Sequence, residues 1–286
     1  MKEFEGKVAA ITGAASGIGR ALAVELSRRG CHLALSDVNT QGLAETVEQV
    51  RQHAAVQVTS QALDVSDRGA VQAWADQVVA DHGRVNLIFN NAGVAHGSTI
   101  EAASYEDFEW IMNINFWGVV HGTKAFLPHL RASGEGHVIN ISSVFGLIGV
   151  PTQGTYNATK FAVRGFTEAL RQELDIDKGS VSATSVHPGG IKTNIARDAR
   201  FDASTEAVTG QSQERSRQDF EKLFRTPPEL AAKTILRGVE KNARRVLIGP
   251  DAYVIDAMQR LLPSGYQRIL GSLASRQNRR RLDGSR

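Results

Sequence analysis

Short aliphatic and β-branched runs alternate with longer amphipathic segments along most of this chain, and this alternation restricts its fold more than any other feature. Continuous short apolar runs are typical of strands buried on both faces of a sheet, whereas apolar residues that recur every three or four positions indicate helices. Repeated strand–helix units predict an α/β fold, with a doubly wound parallel sheet and helices on both faces. The predicted strands are Lys7–Thr12, His32–Ser36, Val56–Leu63, Asn86–Phe89, His137–Ile141, Val181–Val186 and Val246–Ile248, and the predicted helices are Ile18–Arg29, Gln41–His53, Ala70–His82, Tyr105–Leu130, Tyr156–Leu174 and Pro228–Lys241.

The chain divides into one main domain and a short extension. The alternation continues to about the end of the 1–250 segment, a length that suits a single domain. Inside it, the polar segment 193–225 follows a predicted strand, where α/β proteins place substrate loops, and we interpret it as a lid with a weak helical pattern at Gln213–Phe224. An insertion without function is the alternative. The 251–286 extension holds a predicted helix at Val254–Leu262, which Pro263 and Gly265 end, and an arginine-rich tail.

Charge and hydropathy exclude several classes of partner. The net charge is +3, and the 276–286 tail alone carries +4, so the rest of the chain is close to neutral. Such a body offers no face for phosphates, and we expect no nucleic-acid partner and a solvated tail. No apolar run is long enough to span a bilayer, and no signal-peptide core is present, so we expect a cytoplasmic protein that is not bound to membranes. Cys31 lies in an apolar run, which favours a buried side chain over a reactive thiol.

A glycine-rich segment joins the first predicted strand to the first predicted helix. Gly13, Gly17 and Gly19 follow the spacing G-x-x-x-G-x-G. Glycine leaves the backbone N–H groups of a helix N-terminus open to a pyrophosphate, and it also permits positive φ in a tight turn. Three glycines alone are weak evidence. Between the first strand and the first helix they indicate a Rossmann-like dinucleotide site.

Asp37 points to the identity of the dinucleotide. It ends the second predicted strand, 24 residues after Gly13, close to the offset at which a carboxylate binds the ribose hydroxyls of adenosine. That carboxylate would repel a 2′-phosphate, and no basic residue stands at Ser16 or Val38. NAD is therefore favoured over NADP. A turn or helix-cap role before Thr40 is the alternative.

Further motifs resemble those of the short-chain dehydrogenase/reductase family. Thr12–Gly19 resembles its T-G-x-x-x-G-x-G motif, and the resemblance covers about residues 5–250. It implies a nicotinamide cofactor and the interconversion of alcohols and ketones by hydride transfer. The other matching elements, in the family's order, are Asn90-Asn91-Ala92-Gly93, Asn115, Ser143, Tyr156-x-x-x-Lys160 and Pro188-Gly189.

Tyr156 and Lys160 are four residues apart on a predicted helix, so their side chains share one face. Tyrosine is a poor base at neutral pH, but a nearby ammonium, or the positive nicotinamide, lowers its pKa and makes it a usable acid/base. The resemblance implies that Ser143 binds the substrate oxygen and that Lys160 also holds the nicotinamide ribose. It assigns Asn115 to a proton-relay water, kept in place by an irregularity in its helix. Ser142 is the adjacent alternative to Ser143.

The resemblance also implies a set of cofactor contacts. Asp64 and Val65 resemble the pair that meets the adenine ring, although Asp64 could instead cap the next helix. Asn90 and Gly93 resemble the wall beside the adenosine ribose. The cofactor-binding residues implied are Gly13, Ser16, Gly17, Ile18, Gly19, Asp37, Asp64, Val65, Asn91, Ala92, Gly93, Tyr156, Lys160, Pro188 and Gly189, with Ile191 and Thr193 as the carboxamide clamp.

Other chemistries lack a matching pattern. The sequence has no metal-ligand spacing and no G-x-S-x-G elbow. His187 precedes Pro188, and we expect it to be structural. The mouth of the substrate site is expected to include Ala95–His96, Phe145–Gly154 and the lid; its apolar residues favour a secondary alcohol or other hydrophobic carbonyl compound, and core packing explains them equally well.

Two other functions stay open. Similar family members reduce 3-oxoacyl thioesters. A basic residue that binds the 2′-phosphate of NADP would support that alternative, and Asp37 argues against it. A non-catalytic, nucleotide-sensing or interaction protein would be indicated by the loss of Tyr156 or Lys160, and both are present.

Surplus apolar residues predict assembly. The helices at Tyr105–Leu130 and Tyr156–Leu174 are apolar on more than one side, whereas a helix that flanks a sheet needs a single buried stripe. Similar family members pair these helices across a two-fold axis. We therefore expect a homo-oligomer, a tetramer or a dimer, with the Val254–Leu262 helix packed near the lid.

Overall fold

The structure is a computed structural model and describes residues 1–53, 55–210 and 225–284. Strands and helices alternate along it, as the hydrophobic pattern predicts. The strands are β1 (Val8–Thr12), β2 (His32–Asp37), β3 (Val58–Ala62), β4 (Leu87–Asn90), β5 (His96–Gly97), β6 (Gly136–Ile141), β7 (Val181–Pro188), β8 (Arg200–Phe201) and β9 (Arg245–Ile248). The helices are α1 (Gly17–Ser27), α2 (Thr40–His53), α3 (Arg68–His82), α4 (Tyr105–Met112), α5 (Gly118–Ala132), α6 (Gly154–Asp177), α7 (Ser204–Thr209), α8 (Pro228–Glu240), α9 (Pro250–Leu261) and α10 (Gly265–Gly284).

Seven strands form one parallel sheet in the order β3-β2-β1-β4-β6-β7-β9. The chain builds outward from β1 to β3 and then returns to the other side of β1 with β4. This reversal leaves a crevice at the carboxyl ends of β1 and β4, the position at which open α/β sheets bind ligands. A second, two-stranded sheet of β5 and β8 lies outside the main one.

The strands are buried on both faces, as the uninterrupted apolar runs predict. In β1, Ala9 and Ile11 pack with α1 and α8 on one face, while Val8 and Ala10 pack with α3 and α5 on the other. Because successive side chains of a strand point to opposite faces, this division places a helical layer on each side. The doubly wound fold is confirmed.

The long helix predicted at Tyr105–Leu130 is interrupted. α4 ends at Met112, a π-helical turn covers Asn113–Trp117, and α5 begins at Gly118. A π turn inserts an extra residue and changes the direction of the side chains that follow it. Period-3.6 patterns do not show such an insertion, and the interruption lies at Asn115.

The C-terminal extension is more helical than the sequence predicts. α9 covers the predicted amphipathic segment, and after Leu262–Ser264 the backbone turns helical again as α10, where a solvated, frayed tail was expected. Pro263 lies between the two helices, where a proline disfavours continuation of the first one. The helical pattern at Gln213–Phe224 lies outside the described residues. Within the part of the chain that the structure describes, no helix is both long and apolar enough to cross a membrane.

Candidate active site

The glycine-rich turn forms one side of the crevice. Gly13 and Gly17 adopt positive φ of 67° and 52°, which favours glycine at both positions. A Cβ on Gly19 would lie 2.1 Å from the Gly13 carbonyl oxygen. Ser16 is extended at the position before α1, and Ile18 is half-buried against the core. The turn therefore presents open backbone at a helix N-terminus, and this arrangement fits a dinucleotide pyrophosphate.

The second family motif is bound to this turn by direct hydrogen bonds. Thr12 Oγ1 accepts from the backbone N–H groups of Asn91 and Ala92, both at 3.0 Å. The Asn91 amide in turn donates to the carbonyls of Thr12 at 2.9 Å and Gly13 at 3.1 Å. The two segments thus form one floor for the crevice, and Thr12, the first residue of the Thr12–Gly19 motif, links them.

Asp37 faces the same turn. One carboxylate oxygen accepts from the backbone N–H of Ala15 at 2.9 Å, and the other accepts from that of Asn39 at 2.9 Å. Asn39, not Asp37, caps α2, because its side-chain oxygen accepts from the N–H of Gly42 at 3.0 Å. The helix-cap alternative for Asp37 is therefore wrong, and the turn alternative describes its bond to Asn39.

Arg20 and Thr46 form a support for the turn that the sequence did not reveal. The Arg20 guanidinium donates to Thr46 Oγ1 at 3.0 Å, to the Gly42 carbonyl at 3.1 Å and to the carbonyl of Ala15. It also pairs with Glu45 at 2.9 Å. Thr46 donates to the carbonyl of Ala14 at 2.9 Å. Arg20 is the arginine nearest the turn in sequence, and its donors are engaged in fastening the turn to α2.

Asp64 and Val65 lie at the carboxyl end of β3. Asp64 is exposed and accepts from the backbone N–H of Ser66 at 2.9 Å. It does not cap α3: Asp67 does so, by accepting from the N–H of Ala70 at 3.0 Å. Val65 is buried against Gly118 of α5. The alternative in which Asp64 is a helix cap is therefore wrong.

Asn90 does not face the cofactor crevice. Its side chain is 2% exposed and donates to Asn140 at 2.8 Å and Thr123 at 3.2 Å. The expectation that the Asn90 side chain forms a wall beside the adenosine ribose is therefore wrong. Side chains alternate in direction along β4, and this one points into the interior. Gly93 does face the site: a Cβ there would lie 3.2 Å from Asn115 Oδ1 and 3.5 Å from Lys160 Nζ.

Tyr156, Ser143 and Lys160 come together at the end of β6 and the start of α6. Tyr156 is buried and makes a side-chain hydrogen bond with Ser143. Lys160 Nζ lies 5.6 Å from the centre of the Tyr156 ring and donates to the carbonyl of Ile141 at 3.1 Å. Ser142 points elsewhere, since its hydroxyl donates to the Lys160 carbonyl at 2.8 Å. The structure therefore brings Ser143, not the adjacent serine, to the tyrosine.

Burial controls the ionisation of this group. It raises the pKa of Tyr156 to about 12, against the opposing effect of the hydrogen bond from Ser143. It lowers the pKa of Lys160 to about 8. Both shifts favour the neutral forms, as a water-poor site requires. The Tyr156 phenol therefore keeps its proton at neutral pH, and it lies beside a lysine whose pKa is close to neutral.

Asn115 is fixed by the π turn. It is fully buried, its oxygen accepts from the backbone N–H of Val94 at 2.8 Å, and its amide donates to the Val94 carbonyl at 2.9 Å. The same amide donates to Thr159 Oγ1 at 3.2 Å, next to Lys160 in the chain. The irregular helix therefore joins the segment after β4 to α6, the helix that carries Tyr156.

His187 lies behind the site. It is fully buried in β7, with one ring nitrogen 3.0 Å from the Ser143 carbonyl and the other 3.0 Å from Ser185 Oγ. Burial lowers the pKa of His187 to about 4, so the ring is neutral at physiological pH. This placement supports the structural role, because the ring holds the backbone of Ser143.

The segment that follows β7 lies against the glycine-rich turn. Pro188 ends β7, and Gly189 donates its N–H to Ile248 at 2.9 Å. Asp251, which sequence reasoning missed, accepts from the N–H of Gly190 at 2.7 Å. A Cβ on Gly17 would lie 2.9 Å from the Thr193 methyl group. The structure therefore brings the Thr193 side chain to the glycine-rich turn. Ile191 is buried and pairs with Thr226.

Tyr156 belongs to a small apolar cluster. The Phe145 ring lies edge-on to Tyr156, 5.9 Å between centres. The nearby residues Val144, Leu147 and Ile148 are buried, in keeping with core packing. The members of the apolar cluster around Tyr156 are Val94, Ala95, Trp110, Ile111, Phe145, Ile195, Ala199 and Phe201.

Part of the 193–225 segment is described, and it is anchored beside this cluster. β8 pairs with β5, and the Arg200 guanidinium lies 3.6 Å above the Trp110 ring. Arg200 also pairs with Asp107 at 3.3 Å. Residues 211–224 of the predicted lid lie outside the described residues. Among the side chains that the structure describes, no group of three His, Cys, Asp or Glu residues could hold a metal ion.

The ionisation of Lys160 and Tyr156 gives a pH dependence of stability. The unfolded chain keeps the lysine proton up to about pH 10.5, whereas the folded chain loses it near pH 8, so Lys160 alone should raise the free energy of unfolding by about 2 kcal/mol between about pH 8 and 10. Above about pH 10, Tyr156 should lower the free energy of unfolding as pH rises, because the folded chain retains a proton that the unfolded chain releases. Burial also raises the pKa of the Cys31 thiol to about 12, which acts in the opposite direction in both proteins, so urea denaturation should show the Lys160 contribution as the difference between the wild type and Lys160→Met. An unchanged pH profile in that variant would contradict the assignment.

Comparison with known proteins agrees with this geometry. The family model described as short chain dehydrogenase matches residues 7–204. SadH of Mycobacterium tuberculosis, which is named as an oxidoreductase, is 52% identical over 273 residues, 95% of this chain and 96% of SadH. A short chain dehydrogenase/reductase from Burkholderia phymatum, solved in complex with NAD, is 33% identical with a TM-score of 0.83 and covers 92% of this chain and 95% of its own. An alcohol dehydrogenase from the archaeon Thermococcus sibiricus, solved with 5-hydroxy-NADP, is 28% identical with a TM-score of 0.69, covering 85% and 95%. The chain is therefore an oxidoreductase that belongs to the short-chain dehydrogenase/reductase family.

Proposed function

We propose that this protein interconverts a secondary alcohol and a ketone, with NAD as its cofactor and Tyr156 as its acid/base. One observation carries the proposal: the buried Tyr156 is hydrogen-bonded to Ser143, and its ring centre lies 5.6 Å from Nζ of the buried Lys160. The glycine-rich turn lies in the same crevice. When bound, the nicotinamide supplies hydride transfer to or from the carbinol carbon.

The chain's own residues supply the proton transfer. Ser143 Oγ accepts from the backbone N–H of Phe145 at 3.1 Å, and this bond fixes the hydroxyl that orients the substrate oxygen. Tyr156 accepts the hydroxyl proton during oxidation and returns it during reduction. A protonated Lys160 and the positive nicotinamide, when bound, would favour the phenolate and act against the effect of burial on the tyrosine. Asn115 binds Val94 and Thr159, and so holds the segment after β4 and the helix α6 in place on the two sides of the site.

The same floor of the crevice supports binding of NAD. Asp37 presents a carboxylate at the turn, and Val38 beside it is 70% exposed and uncharged. Arg20 is engaged with α2, so it is not placed to hold a 2′-phosphate. The two solved relatives named above carry different cofactors, and the preference of this chain is therefore inferred from its own residues.

The apolar cluster around Tyr156 supports a hydrophobic substrate. Trp110, Phe145 and Phe201, from three separate parts of the chain, belong to one apolar cluster with Tyr156, and the Arg200 guanidinium covers the Trp110 ring. An alcohol or ketone with apolar substituents would bury its apolar surface there. The alcohol dehydrogenase named above adds weight to this substrate class.

A screen of secondary alcohols and ketones tests the proposal. Purified protein is assayed with NAD or NADP and their reduced forms, and nicotinamide absorbance reports turnover. We expect turnover of apolar secondary alcohols with NAD and little with NADP. Absence of turnover with every alcohol and ketone, in a protein that still binds NAD, would contradict the enzymatic role.

We also propose that the protein is a homo-oligomer, a tetramer or a dimer, which pairs through α5 and α6. Trp117 and Phe161 are exposed on this face by 48% and 41%, beside the edge-on pair of Phe116 and Phe166. Light scattering coupled to size exclusion should give a mass above that of one chain. The double change Trp117→Glu, Phe161→Glu should lower that mass, whereas Leu230→Glu, on α8 at the opposite face of the sheet, should not. A monomeric wild-type chain that pellets with anionic vesicles would instead indicate a membrane surface.

A further inference from the structure

The C-terminal extension reaches the substrate side of the site through one buried tyrosine. Tyr266, in the first turn of α10, is 6% exposed. Its hydroxyl accepts from the backbone N–H of Gly149 at 3.0 Å, across 117 positions of the chain. Gly149 belongs to the 144–153 segment, which joins Ser143 to the helix that carries Tyr156.

The 144–153 segment is held from its other side by the catalytic helix. Asn157, the residue after Tyr156, accepts from the N–H of Val150 at 3.0 Å. Its amide donates to the carbonyls of Phe145 and Ile148, both at 2.8 Å. The segment that carries Phe145 therefore lies between one amide on α6 and one phenol on α10.

The extension also contacts the opposite wall of the site. α10 packs against α7, which follows the β8 strand, and α9 packs against the helical turn at Val144–Gly146. Asp251 in the first turn of α9 holds the backbone of Gly190. Both segments that flank the apolar cluster are thus supported by residues 250–284, outside the 7–204 range that the family model matches.

We propose that Tyr266 is a positioning residue, which fixes the 144–153 segment so that Phe145 limits the size of the substrate. The inference rests on the proposed function, because it assigns to the extension the choice among apolar alcohols and ketones. Loss of the Tyr266 hydroxyl removes the acceptor of the Gly149 N–H, and the segment then loses its direct bond to α10. A bulky substrate depends on the placement of Phe145, whereas the smallest ketones contact chiefly Ser143 and Tyr156.

The variant Tyr266→Phe tests the proposal, because it removes one oxygen and keeps the ring that packs in the core. We expect its KM for the bulkiest accepted ketone to rise about 5- to 10-fold, and its KM for a small ketone, its kcat and its affinity for NAD to stay within about two-fold. Hydrogen–deuterium exchange of peptides that span 144–153 should be faster than in the wild type. Tyr253→Phe, on α9 and 60% exposed, is the matched control and should change none of these quantities.

The outcomes separate the two proposals. Faster exchange with unchanged KM for bulky ketones overturns the positioning role, as does a fall in kcat of equal size for small and bulky ketones. Unchanged exchange overturns the contact itself. A wild-type protein that binds NAD and turns over no alcohol or ketone overturns the proposed function, and the exchange measurement then still reports whether Tyr266 holds the segment.

Discussion

Replacing Tyr156 by phenylalanine is expected to lower turnover by at least about 100-fold while NAD affinity stays within about two-fold, since general acid–base catalysis contributes about 10²–10⁴-fold. The change removes the proton that the reaction exchanges. It leaves the buried ring, its edge-on contact with Phe145 and the backbone of α6 in place. Ser143 and Lys160 also remain, so the loss isolates the phenolic oxygen.

Steady-state rates and an NAD titration on the purified variant measure this effect. Tyr105→Phe, at the start of α4 and 85% exposed, is the matched control and should keep the wild-type rate. Denaturation curves establish that Tyr156→Phe is folded. A variant that keeps more than about a tenth of the wild-type rate would rule out Tyr156 as the group that transfers the proton.

The second large effect concerns cofactor choice. In the double variant Asp37→Ser, Val38→Arg, we expect the ratio of kcat/KM for NADP to that for NAD to rise about 30- to 150-fold, which corresponds to about 2–3 kcal/mol. The serine removes the carboxylate that repels a 2′-phosphate. The arginine occupies an exposed position beside the turn, where it does not disturb the core.

The single change Val38→Arg is the control for this effect, because it adds the positive charge and keeps the carboxylate. We expect it to shift the ratio much less than the double variant. NAD affinity should fall in the double variant, since the N–H of Ala15 loses a carboxylate acceptor. A wild-type protein that already uses NADP as well as NAD would contradict the role of Asp37.

The fold could be predicted because it follows from the spacing of apolar residues, which can be read directly from the sequence. The seven strands of the main sheet lie within two residues of the predicted ends. The family assignment followed from motifs at fixed positions between these strands, and it is confirmed. The roles of the individual site residues stay predictions, to be tested by the variants described above.

Side-chain direction could not be predicted, because it depends on packing. Asn90 belongs to the same motif as Asn91, yet one amide points into the interior and the other reaches the glycine-rich turn. Asp64 and Asp67 have the same chemistry, and only the backbone at the end of β3 decides which one caps α3. Partners distant in the chain, such as Tyr266 for Gly149, have no local signal at all.

The hydrogen bonds between Thr12 and Asn91 join residues 79 positions apart, and this separation has a consequence for how the chain folds. β1 and β4 are parallel strands joined by a long connection, and contacts at long sequence separation form slowly. The floor of the crevice therefore does not exist in a chain whose β4 has not yet docked beside β1. Dinucleotide binding selects the completed fold, and it stabilises that fold by mass action against every partly assembled state.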